Sequence, residues 1–214
     1  MTESTPAPQA QSELRPSAEV RFAAELAALK QADATSGAPV PPGWQLSAHA
    51  VRAFVLGDAR LGVTRKFYGD DPLVDRAIVS LLGRQGLMLV GEPGTAKSML
   101  SELLAAAISG TSNLTIQGSA GTTEDHVRYS WNYALLIAEG PTPRALVPSP
   151  VYQAMARGAI GRFEEITRCP AEIQDTLVSI LSEKQIMIPE FGDEARLAAR
   201  PGFNVIATAN LRDR

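Results

Sequence analysis

Between an apolar run at residues 87–90 and a helical repeat of apolar residues at 99–108 lies Gly-Glu-Pro-Gly-Thr-Ala-Lys-Ser, residues 91–98. A buried-strand run, a glycine-bearing turn and a helix in that order open a strand-to-helix unit, and nothing else in the chain restricts its fold as much. The octet matches the phosphate-binding pattern G-x-x-x-x-G-K-[ST] at every fixed position except the second glycine, where Ala96 stands. In such a loop successive backbone N–H groups turn inward around an anion, the helix adds its positive end, and the lysine reaches the outer phosphates. Gly91, Glu92, Pro93, Gly94, Thr95, Ala96, Lys97, Ser98 and Met99 are therefore the nucleotide-binding candidates. Lys97 is placed for phosphate and the Ser98 hydroxyl for magnesium. Alanine is tolerated at 96 if that residue already lies in the first helical turn, where φ is negative. A Gly/Pro-punctuated turn with a surface lysine is the alternative that the pattern alone leaves open.

A second constellation is Gly-Ala-Ile-Gly-Arg-Phe-Glu-Glu-Ile-Thr-Arg-Cys-Pro, residues 158–170. Two adjacent carboxylates at the end of a strand suit ATP hydrolysis: Glu164 to hold magnesium through its water shell, Glu165 to polarise the attacking water. A solvated Glu-Glu pair at a strand-to-helix junction fits the same residues. An amphipathic helix follows, with Ile173, Leu177, Ile180 and Leu181 on one face, then a β-like stretch at 186–188 and a last strand at 203–210.

The 214 residues, 45% of them hydrophobic, suit one domain with a tail or two small domains. Twenty basic against 23 acidic residues leave a net charge of −3, so no global field draws the chain to nucleic acid or anionic membranes, although Arg60, Arg65 and Lys66 form a candidate local basic patch. One cysteine, Cys169, rules out an intramolecular disulfide and reads as a packing residue, while His49 and His126 lack metal-ligand companions. No apolar run suits membrane insertion, the N-terminus carries no basic-then-apolar signal, and the expected location is cytoplasmic.

Residues 1–16 are expected to be disordered. Ser17 is expected to cap a helix reaching about residue 34 with a narrow Phe22, Leu26, Leu29 stripe. Residues 39–43 read as a linker and ordered structure is expected from about Gln45, dividing the chain into an extension, 1–44, and a core, 45–214. Helices are expected at 47–56 and 72–82, the second with Asp71 as cap and Pro72 at its first position, and a strand at 114–117. Residues 129–137 read as a strand before the turn at Gly140-Pro141-Thr142-Pro143, giving a hairpin insertion with Trp131 and Tyr133 on one buried face.

With these segments in register, residues 68–214 resemble the MoxR-type branch of the AAA+ ATPases. That branch commonly carries alanine before the loop lysine. Phe-Glu-Glu-Ile-Thr-Arg, residues 163–168, is similar to the family's Asp-Glu-Ile-Asn-Arg motif. By that match Glu164 stands for the magnesium-site aspartate, Glu165 for the catalytic glutamate and Arg168 for the motif's arginine. Val-Ile-Ala-Thr-Ala-Asn, residues 205–210, resembles the first sensor strand, with Asn210 as the polar residue that orients the attacking water. Glutamate at 164 is one methylene longer than the usual aspartate, and Gly161 and Arg162 interrupt a strand that is normally apolar, so binding is expected to survive better than turnover.

The resemblance implies an α/β P-loop NTPase core with a parallel sheet of order 5-1-4-3-2, flanking helices, a hairpin insertion and a helical N-terminal extension. The chain stops ahead of the fifth strand and of the lid with its arginines, so the phosphate-loop strand is expected at a sheet edge, and Arg212 and Arg214 lie too close to the sensor strand to be the arginine finger. Implied function is a magnesium-dependent ATPase that forms a hexameric ring when full length. It would remodel a client or load a cofactor or metal into it, with a partner carrying a von Willebrand factor A-type domain. The alternative is a truncated, hydrolytically silent nucleotide-binding or interaction subunit. A nucleic-acid motor or restriction-type GTPase fits less well, given the acidic balance and the lack of a guanine-selecting motif.

Overall fold

The computed structural model describes residues 14–211. Most of the stretch expected to be disordered, and both Arg212 and Arg214, lie outside the described residues. Helices α1 (Ala18–Arg21), α2 (Ala23–Ser36), α3 (Ala48–Leu56) and α4 (Asp71–Leu82) precede strand β1 (Leu87–Gly91) and helix α5 (Lys97–Ser109). Strand β2 (Thr115–Gln117) and the short helix α6 (Glu124–Val127) lead to β3 (Tyr129–Trp131), α7 (Tyr133–Glu139) and β4 (Leu146–Pro148). Then come α8 (Pro150–Arg157), β5 (Ile160–Glu164), α9 (Ala171–Glu183), β6 (Gln185–Met187), β7 (Arg196–Ala198) and β8 (Asn204–Asn210).

Strands β1, β8, β5 and β2 form, in that order, a sheet parallel throughout. Its central strands are apolar on both faces because helices cover both. Ile206 and Ile160 point into one core with α3, α4 and α5, while Val205, Ala207 and Phe163 point into a second core with α8 and α9. Gly161 and Arg162 do not interrupt β5, because Gly161 packs on Ala154 of α8 and Arg162 is satisfied by polar partners. At one edge lies β1, as expected, with Met88 and Val90 about half exposed. The buried Asn204 amide donates to the carbonyls of Gly83 and Gln85 at 3.2 and 3.1 Å, fixing the turn from α4 into β1.

Four local readings change. The N-terminal helix is broken at Phe22, whose backbone leaves helical geometry while its ring meets Phe54 edge-on at 5.9 Å; Ser17 makes no side-chain cap. Packing also begins ahead of Gln45: Ala18 and Leu29 are fully buried in the first core, and Asp33 accepts both the Ser47 amide and hydroxyl at 2.7 Å. Polar anchoring supplies what the narrow apolar stripe lacks. Asp70, not Asp71, takes the cap position of α4, with Pro72 in its first turn. The insertion is indeed a hairpin, β3 pairing antiparallel with β4, but its first strand ends at Trp131. Asn132 then accepts the Leu135 amide at 3.2 Å and starts α7, which leaves Tyr133 69% exposed instead of sharing a buried face with Trp131.

Gly43 and Gly202 meet where the loop before α3 touches the loop before β8. A Cβ on Gly43 would lie 2.0 Å from the Pro201 carbonyl oxygen, and one on Gly202 would lie 2.8 Å from the Gly43 Cα. Both residues have positive φ, so the contact requires glycine twice over.

Two of the three residues of the candidate basic patch are neutralised. Arg65 pairs with Asp71, and Lys66 pairs with Glu25 while its ammonium sits over the Phe22 and Phe54 rings at 4.7 and 4.3 Å.

Candidate functional site

The parallel sheet delivers the ends of β1, β5 and β8 to one side, which is where open α/β sheets bind their ligands. Residues 93–99 of the loop, Glu165, Thr208 and Asn210 line one cavity of about 340 Å³ there. Gly91 and Asn210 are directly paired across β1 and β8, which sets the loop and the last strand side by side.

Within the loop Gly94 has φ 81° and Ala96 φ 60°. The expectation that Ala96 sits at negative φ in the first turn of α5 is therefore wrong. Ala96 is the residue before Lys97 and adopts the left-handed conformation that the pattern's second glycine would take freely. Left-handed residues beside right-handed ones turn consecutive amides into a concave anion site, so the strain serves the geometry. The Lys97 ammonium donates to the carbonyls of Gly91 and Glu92 at 3.0 and 2.8 Å, tying the lysine across the loop.

Glu164, 4% exposed, ends β5 beneath the start of α5. Its Oε2 accepts the Ser98 and Thr208 hydroxyls, each at 2.7 Å; its Oε1 accepts the Ser101 hydroxyl at 2.6 Å and the Arg162 guanidinium at 2.8 Å. Burial by itself raises the carboxyl's pKa, but the hydroxyls of Ser101, Ser98 and Thr208 and the Arg162 charge hold it below the ordinary value of 4.5. The carboxylate is thus ionised beside the Ser98 hydroxyl. An ionised carboxylate and a hydroxyl at the mouth of a phosphate loop are the oxygen donors that magnesium takes.

Glu165 follows in a second strained conformation, φ 56°, with its amide donating to Thr208 Oγ1 at 3.0 Å and its carboxylate accepting Arg168 at 2.7 Å. Two of the three non-glycine residues with positive φ among the described residues are Ala96 and Glu165, both lining this cavity. Backbone strain concentrates in this way where geometry serves a ligand.

The family model for the AAA domain, dynein-related subfamily, matches residues 86–214. The chain belongs to this AAA family. It is 59% identical over 201 residues to the uncharacterized protein YehL of Escherichia coli, covering 94% of the chain and 55% of YehL. It is 28% identical over 148 residues to the chaperone MoxR1 of Mycobacterium tuberculosis, covering 69% of the chain and 36% of MoxR1. The crystal structure of a candidate ATPase from Cytophaga hutchinsonii shares the fold, with a TM-score of 0.50 at 18% identity over 91% of this chain and 48% of that one. The AAA chain described here is thus MoxR-like, with an α/β P-loop core, and spans little more than half the length of the relatives it matches, or less.

Every site residue expected from the sequence of this AAA domain lies on the described residues, but Ser101, Arg162 and Thr208 were not expected. Their signal was periodicity: Ser101 stands three residues after Ser98 on a helix, while Arg162 and Thr208 stand two residues before Glu164 and Asn210 on strands, so each shares a face with a named residue. Among the described residues no helix is long and apolar enough to cross a membrane.

Proposed function

We propose that this chain is the nucleotide-binding core of a MoxR-like ATPase, binding ATP with magnesium at the cavity bounded by the loop, Glu165 and Asn210. The single observation that carries the reading is the 2.7 Å hydrogen bond from Ser98 to the buried Glu164 carboxylate, which joins the two sequence motifs at one point. The loop amides and Lys97 take the phosphates. An adjoining cavity of about 520 Å³, walled by Phe67, Leu73, Ala77 and Leu100 and reaching Gly91, Thr95 and Lys97, offers apolar surface to the adenine. Ser98 would hold the magnesium directly and Glu164 through its water shell, and the ion's charge would offset that of the phosphates. Glu165, oriented by Arg168, accepts the proton of the attacking water, and Asn210 orients that water.

The proposed role of the longer protein is chaperone-like: a cytoplasmic hexameric ring that remodels a client or loads a cofactor or metal into it, with a von Willebrand factor A-domain partner. Support for the chaperone-like part of this reading is the likeness to MoxR1, which is named a chaperone. Full turnover requires an arginine donated to the transferring phosphoryl group.

Calorimetric titration of ATP and magnesium into wild type and Lys97→Ala tests the site. Binding should be lost in the variant while its thermal unfolding stays within a few degrees of wild type. Equal affinity in the two proteins overturns the assignment.

A further inference from the structure

We propose that Arg162 is the positioning residue of the magnesium site and that helix α1 holds it in place. The inference rests on the magnesium–nucleotide reading above and gives a role to Arg162, which the sequence alone presents only as an interruption of the apolar strand.

The two oxygens of Glu164 have different surroundings. Oε2 faces the Ser98 hydroxyl of the loop, the side that a metal would share, whereas Oε1 is gripped from behind by Ser101 and Arg162. The Arg162 guanidinium is bound at every edge: Nε donates to Ser101 Oγ at 2.9 Å, Nη1 to the Ser112 carbonyl at 3.0 Å, and Nη2 to the Ser98 carbonyl at 3.1 Å as well as to Glu164. Its side chain is only 11% exposed. A planar fork with donors fixed in direction locks the carboxylate it touches in a way that a flexible ammonium cannot. Such a lock has a specific use here. Glutamate at 164 carries one more rotatable bond than aspartate, and Arg162, two residues earlier on the same face of β5, removes that freedom.

The anchors of Arg162 are themselves held by α1. Glu19 accepts the Ser112 amide at 3.0 Å and its hydroxyl at 2.7 Å. Arg21 of α1 and Arg15 just before it donate to the buried Glu102, the neighbour of Ser101, at 3.1 and 3.2 Å. The path Glu19, Ser112, Arg162, Glu164 therefore runs unbroken from the first helix to the back of the carboxylate whose other oxygen meets Ser98, with Ser101 bridging its last two members.

The test measures ATP affinity of the 214-residue chain at constant ionic strength, in EDTA and in excess magnesium chloride, for wild type, Arg162→Ala, Arg162→Lys and Glu19→Ala. Residues that orient a metal ligand typically contribute about 10- to 100-fold in metal affinity. The gain in ATP affinity produced by magnesium should fall by that factor in Arg162→Ala, while affinity in EDTA stays within about twofold. Arg162→Lys should recover part of the gain, and Glu19→Ala should lose a smaller share with its unfolding transition intact. An unchanged magnesium gain in Arg162→Ala overturns the proposal, as does a parallel loss in EDTA and magnesium, which marks a merely structural residue. An unchanged gain in Glu19→Ala overturns the part played by α1. If wild type itself shows no magnesium gain, the nucleotide–metal reading falls and this inference with it, so the two failures are told apart.

Discussion

Ala96 is the residue to perturb first, because the sequence pattern and the backbone make opposite demands on it. Its φ of 60° places a methyl group where L-residues pay about 1–2 kcal/mol in the left-handed region. Glycine removes that strain but brings back roughly 0.5–1 kcal/mol of extra chain entropy in the unfolded state. The net expectation for Ala96→Gly is a gain of about 0.5 kcal/mol, or about 1–2 °C in melting temperature for a chain of this size. Valine at the same place is β-branched, a strong outlier at positive φ, and should cost about 2–3 kcal/mol more than alanine, lowering the melting temperature by roughly 4–12 °C. Differential scanning calorimetry of the three proteins, with ATP affinity recorded on the same samples, reads both numbers. The order Gly, Ala, Val should hold for stability and for ATP affinity, because the same conformation turns the loop amides inward. A valine variant that melts within 1 °C of wild type (about a quarter of the smallest shift expected) would refute the left-handed assignment and with it the account of why alanine is tolerated.

Two further outcomes are expected. Tyr129 is pushed up to about 12 by burial and by its hydrogen bond to Glu190, so it stays protonated when an unfolded tyrosine, near 10, has ionised; the stability tied to it is present below pH 10 and lost as the pH rises from 10 toward 12. Alkaline titration of tyrosinate absorbance should show this late component shifting toward 10 in Glu190→Gln. Glu165→Gln should keep ATP affinity while lowering phosphate release by about 10²- to 10⁴-fold, measured in a chain carried on to the length of its relatives; loss of binding along with turnover would make Glu165 a structural residue.

The strand–loop–helix unit, the carboxylate pair and the last strand were legible because each is a local pattern: an apolar run, a fixed spacing, an alternation. The break at Phe22 was not, since it depends on Phe54, which lies far along the chain and receives the ring edge-on. Nor was the end of β3 at Trp131, where one asparagine cap outweighs the strand-like residues after it. The surroundings of Glu164 were half legible. Periodicity put Ser101 and Arg162 on the right faces, but only the crossing of β5 under α5 brought their donors to the same oxygen.

The contact of Gly43 with Gly202 bears on how this sequence can drift. A side chain on Gly43 would meet the Pro201 carbonyl oxygen at 2.0 Å and one on Gly202 the Gly158 carbonyl oxygen at 2.4 Å, so neither position can change without parting two loops that lie 159 residues apart in the chain. Substitutions there would have to arrive as a compensating set that also rebuilds both positive-φ turns. Chains of this fold that have lost one of the two glycines should have lost both, and with them the seam that fastens the N-terminal helices to the base of the last strand.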